Sequence, residues 1–139
     1  DNPYLLIGAV LSATAAIMHI GAVVFGGSWY RFLGAGERMA KLSEAGHWYP
    51  AAVTLTIAGM LLAWSLYALS GAGLWGKLPF LRTVLCAITA IYLLRAVGFV
   101  PLMALMPGNT PRFWLVSSSI CLVFGVVHLI GLRQAWAYL

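Results

Sequence analysis

YLLIGAVLSATAAIMHIGAVVF, residues 4–25, contains no carboxylate, lysine or arginine, and a single imidazole, His19. A helix needs about 20 mostly apolar residues to cross the hydrocarbon layer, so this stretch reads as a membrane span and decides the class of protein. Three further stretches share its character: 50–70, 79–102 and 113–136. Most charges fall between them. Arg31, Glu37, Arg38, Lys41 and Glu44 lie in the first connection, Lys77 in the second and Arg112 in the third. Composition agrees: of 139 residues, 63% are hydrophobic and 8% charged, where a soluble domain has about 45–50% and about 25%. With only three acids and eight bases, the chain cannot clothe a water-soluble surface of this size. That argues against a soluble enzyme, a disordered tail and a disulfide scaffold. The net charge of +5 does not indicate nucleic-acid binding, because the bases are scattered singly and form no patch.

The aromatic residues support the division, since Trp and Tyr collect at membrane interfaces. An up-down-up-down path places Tyr4, Tyr67, Trp75, Trp136 and Tyr138 at the face holding both termini, and Trp29, Tyr30, Trp48, Tyr49 and Trp114 at the other; Trp64 and Tyr92 sit deeper. The expected fold is an all-α membrane protein: one domain over 1–139, a four-transmembrane-helix antiparallel bundle with spans of about 4–25, 50–70, 79–102 and 113–136. Residues Glu37 to Ala45 predict a short amphipathic helix lying at the membrane interface in the first loop. The first span has no basic flank and no small-residue cleavage site, so it reads as retained rather than as a signal peptide. Orientation stays open, because Lys77, Arg82 and Arg133 on the terminal face balance Arg31, Arg38, Lys41 and Arg112 on the other.

Ionisable groups inside the hydrocarbon are costly and mark candidate sites. His19, Arg95 and His128 qualify. Arg95 has the strongest claim, because a guanidinium keeps its charge and needs a carboxylate, phosphate, carbonyl cluster or water pocket as its partner. At 1.5 Å of rise per residue, His19 and Arg95 stand at nearly the same height above the terminal face. Tyr92 precedes Arg95 by one turn, and Glu37, Glu44 and Tyr49 are the available partners at that end. The candidate ligand-binding set is therefore Arg95, His19, Tyr92, Glu37, Glu44 and Tyr49. His19 and His128 each end a stripe of small residues, Gly8, Ser12, Ala15 and Ala16 in the first span and Ser118, Cys121 and Gly125 in the fourth, of the kind that lets helices approach closely. The two imidazoles differ in depth by about 15 Å on this path, so one haem cannot join both within one chain. Cys86 and Cys121 also differ in depth and read as packing residues. His47 makes an interfacial set with Glu37 and Glu44, without a recognised ligand spacing.

The segments GERMAKLSEAG (36–46), LPFLRTVLCAITAIYLLRAVGFVPL (78–102) and FWLVSSSICLVFGVVHLIGLRQAW (113–136) together resemble a family of small four-span bacterial inner-membrane proteins of unassigned function. The resemblance covers nearly the whole chain and implies a multi-pass protein of the bacterial inner membrane. It transfers no catalytic residue.

The leading expectation is a non-enzymatic accessory or lipid- and amphiphile-binding bundle with a polar site around Arg95 and His19. Its partners are membrane lipids, with a homo-oligomer or a partner membrane protein docking on the small-residue stripes; no cofactor, metal or nucleic acid is expected. Two alternatives belong to other classes: a small transporter or channel using His19 and Arg95, and a lipid- or quinone-directed enzyme at the Glu37/Glu44/His47 face.

Overall fold

The structure is a computed structural model that describes residues 3–32, 37–101 and 111–139. Among these, all regular structure is helical: α1 (Pro3–Phe25), α2 (Gly27–Phe32), α3 (Glu37–Glu44), α4 (Trp48–Gly71), α5 (Leu81–Val97) and α6 (Pro111–Ala135). Three of these, α1, α4 and α6, are long and apolar enough to cross a membrane, which is compatible with an integral, multi-pass membrane protein. The helix within the remaining expected span is shorter. α5 has 17 residues, about 26 Å at the standard rise, where the hydrocarbon core is about 30 Å thick. Its end is set by Gly98, whose N–H donates to the Leu94 carbonyl at 2.7 Å, and helix resumes over 99–101. Of the expected third connection, 103–112, residues 103–110 lie outside the described residues.

Small residues decide how the long helices meet. α1 packs along α4 and α5 packs along α6, and these two pairs join through contacts of α1 with α6 and of α4 with α5. A Cβ placed on Gly131 would stand 3.0 Å from the Leu5 backbone nitrogen, and one on Gly125 would stand 3.2 Å from that of Leu93. These glycines therefore bring α6 to backbone contact with α1 on one side and α5 on the other. Leu5, Ala16, Ala58, Leu61, Leu85, Ile88 and Leu132 fill the space enclosed. Both stripes seen in the sequence are largely spent inside the chain: Gly8, Ser12, Ala16, Ser118 and Gly125 are buried, with Ala15 and Cys121 partly so.

Ser70 secures the turn from α4 to α5. Its hydroxyl donates to the Gly76 carbonyl at 2.9 Å and accepts from the Leu78 N–H at 3.1 Å. The Tyr67 hydroxyl reaches the Pro79 carbonyl at 3.0 Å.

The first connection folds back as α2 and α3. Gly26 takes φ 79°, a left-handed turn natural to glycine. Tyr30 then buries its ring with Ala22 and Ala40, against which Trp29 and Met39 pack, and its hydroxyl meets Thr54 Oγ1 at 3.2 Å. The expected interfacial helix is thus α3, which packs onto α2 and α4. Arg31 grips Glu44 with both Nη atoms, at 2.7 and 2.9 Å, and Gly27 leaves the space that the Glu44 side chain takes. Both charged side chains are substantially exposed, at 39% and 50%, so the pair contributes little: Arg31→Gln is expected to lower stability by less than about 1 kcal/mol. Denaturant unfolding with and without added salt checks this, and the difference between the two proteins should shrink as salt rises.

Candidate functional site

Arg95 lies in the last turn of α5, where the negative end of the helix dipole favours a cation. Its side chain crosses to α6. Nη1 donates to Ser118 Oγ at 3.1 Å and Nη2 to Ser117 Oγ at 2.7 Å. The guanidinium carbon stands 4.8 Å from the centre of the Trp114 ring, and that indole is buried to 2% exposure. Desolvation strengthens the attraction of a cation to an aromatic face. The cradle is therefore two hydroxyls and a π face, all on α6 and spaced by one helical turn. Among the described side chains no carboxylate pairs with Arg95, and the partners found there are two hydroxyls and an indole face.

The other residues expected from sequence go elsewhere. His19 donates from Nδ1 to the Ala15 carbonyl of its own helix at 2.6 Å. Glu44 pairs with Arg31. Tyr49 lies edge-on to Trp48, with ring centres 5.9 Å apart, and the Arg38 guanidinium is 6.0 Å from its ring centre. Glu37 opens α3, but its side chain lies outside the described residues. Of the other five, none whose side chain is described is joined directly to Arg95. His47 caps α4, its Nδ1 accepting the Tyr49 N–H at 3.1 Å. Cys86 and Cys121 are free thiols.

Tyr92 faces the centre of the four long helices, away from Arg95's partners. Its hydroxyl meets Ser12 Oγ on α1 at 2.7 Å. Its ring packs edge-on to Trp64 of α4 at 5.2 Å and Phe124 of α6 at 5.3 Å, and lies 5.1 Å from the His128 ring. Beside it the Ser65 hydroxyl donates to the Ala9 carbonyl at 2.8 Å. His128 is fully buried. Its Nδ1 donates to the Phe124 carbonyl at 2.7 Å, which leaves Nε2 as an acceptor, and that nitrogen has no hydrogen-bond partner among the described residues. A Cβ on Gly8 would come within 3.1 Å of Nε2, so the imidazole fills the hollow the glycine leaves. This closes the space a flat porphyrin would need there. The centre is a packed polar knot, one contributor from each long helix, and it holds the helices together rather than opening to a ligand.

The residues that sequence reasoning missed are Trp114, Ser117 and Ser118. The signal was present in WLVSS (114–118), where an indole and hydroxyls one turn apart share a helix face. Ser119, by contrast, donates to the Leu115 carbonyl at 2.8 Å, as hydroxyls in apolar helices commonly do.

With this geometry the class of protein is an all-helical chain with three helices fit to cross a membrane. No family model matches the chain, and no curated protein or solved structure matches it either.

Proposed function

We propose that this chain is an integral protein of the bacterial inner membrane, of the small four-span kind, whose long helices form an antiparallel bundle with α5 as the fourth crossing. Within it, the protein acts as a non-enzymatic accessory that holds an anionic lipid or similar amphiphile against Arg95. The observation that carries this reading is the guanidinium cradled by Ser117, Ser118 and Trp114 without a carboxylate among the described residues. On this reading a cation two residues from the end of α5 stands near headgroup height, where anions are present and hydrocarbon ends. His19 belongs to the same level on the antiparallel reading: Leu5 meets Gly131 and Gly8 meets His128, and continuing that register along α1 and α6 carries His19 to the height of Ser117.

Two measurements test the proposal. Protein purified in mild detergent is expected to retain anionic lipid detectable by mass spectrometry, and Arg95→Leu is expected to lose most of it while melting as a folded protein. Unchanged lipid in a folded Arg95→Leu variant refutes the binding role. For the fourth crossing, cysteines placed singly at Lys77 and Arg112 in a chain lacking Cys86 and Cys121 are expected to label from opposite sides of the membrane. Labelling from the same side would mean that α5 does not cross.

A further inference from the structure

Resting on the lipid-binding reading, we infer that the group Arg95 recognises is a phosphate, that of a phospholipid headgroup, and that Ser117 and Ser118 donate to it together with the guanidinium. The inference follows from how donors and acceptors are distributed. Four hydroxyls in the apolar helices of this chain spend their proton on the carbonyl one turn earlier: Thr14 on Val10, Thr56 on Ala52, Thr89 on Leu85 and Ser119 on Leu115. Ser117 and Ser118 are turned instead toward Arg95 and accept from it. An oxygen that accepts from a guanidinium still carries its own O–H, and neither of these protons has an acceptor among the described residues. The guanidinium likewise has N–H groups beyond the two engaged, since it carries more donors than the serines use. The site thus offers only donors: N–H groups in the guanidinium plane, and two hydroxyls with protons free to rotate out of it. Trp114 closes one face of that plane, so an anion approaches the open side.

A carboxylate presents two coplanar oxygens and is suited to the flat edge of an arginine alone. A tetrahedral phosphate presents oxygens in several directions and can meet the guanidinium edge and the hydroxyls at once. Arginine is also the side chain best matched to phosphate geometry. Height selects the same group. Arg95 stands two residues from Val97, the last of α5, about 3 Å of axial rise, and a long side chain near a helix end reaches the headgroup layer. Arg112, exposed in the first turn of α6, adds positive charge at the same end.

The test is native mass spectrometry of the intact chain in detergent, titrated separately with phosphatidylglycerol, with oleate and with inorganic phosphate. Phosphatidylglycerol is expected to bind at least about tenfold more tightly than oleate, a difference of one decade in Kd. Ser117→Ala combined with Ser118→Ala is expected to weaken phosphatidylglycerol about fivefold to tenfold and to leave oleate nearly unchanged, because only the phosphate uses the hydroxyls. Arg95→Lys keeps the charge but not the fork, and is expected to narrow the preference for phosphatidylglycerol over oleate while the protein remains folded. Inorganic phosphate that competes away phosphatidylglycerol at millimolar concentration supports the chemistry and names the free ion as a second occupant. If oleate binds as tightly as phosphatidylglycerol and both depend on Arg95, the phosphate assignment is overturned while the amphiphile-binding reading stands. If binding of both is indifferent to Arg95, both fail.

Discussion

Gly125→Val and Gly131→Val are each expected to destabilise the protein by about 3 kcal/mol, the upper end of what overpacking costs. The neighbours are the reason. A side chain at either position would press on leucine side-chain atoms and on a backbone nitrogen, 3.2 Å away at Leu93 and 3.0 Å away at Leu5. A flexible side chain can turn aside, but a helix backbone moves only by separating the two helices. Gly59 supplies the control, since nothing lies within 4 Å of where its Cβ would stand. Gly59→Val shares the same change in helix propensity, yet is expected to shift stability by no more than about 0.5 kcal/mol. Unfolding in mixed detergent micelles, followed by far-ultraviolet circular dichroism, measures all three. Equal losses would show that propensity rather than close approach governs these sites.

Tyr92→Ala is expected to be at least as damaging, at about 3–5 kcal/mol, the range for removing a buried aromatic ring. The ring touches Trp64, Phe124 and His128, so its loss opens a cavity facing two other helices. Tyr92→Phe keeps those contacts and removes only the hydroxyl bond to Ser12. Hydrogen bonds between membrane helices average about 0.6 kcal/mol, so the phenylalanine variant is expected to lose well under half of what the alanine variant loses. Adding Ser12→Ala to Tyr92→Phe is expected to cost little more than either alone, because both delete the same bond. If the phenylalanine and alanine variants prove equally unstable, the hydroxyl rather than the ring is what holds the centre together.

Much of this arrangement was readable before any coordinates, and particular residues show where reading stopped. Hydropathy located the helices because a lipid-facing helix must be apolar along a whole face: 4–25 and 50–70 each fall within a long helix, and 113–136 overruns α6 by one residue. The break inside the third stretch is less legible: Gly98 ends α5 and helix resumes over 99–101, although the neighbours remain apolar, and hydropathy is insensitive to that. Relative position along neighbouring helices was also legible, since rise per residue is constant: Trp64 and Tyr92 do meet. The direction in which Arg95 points was not. Azimuth depends on how α5 is rotated against α6, which Gly125 settles by admitting Leu93. Glutamates are the partners a sequence suggests for a cation, whereas hydroxyls and an indole face also serve in an apolar surrounding. Tyr92 illustrates the same gap: it was placed at the right depth with Trp64, but its contacts with Ser12 and His128 needed the packing of all four long helices.

The corner that Ser70 ties together bears on how the protein is made. Because one side chain at the α4 terminus holds both Gly76 and Leu78, the fastening closes within eight residues of chain and needs nothing from α1 or α6 to form.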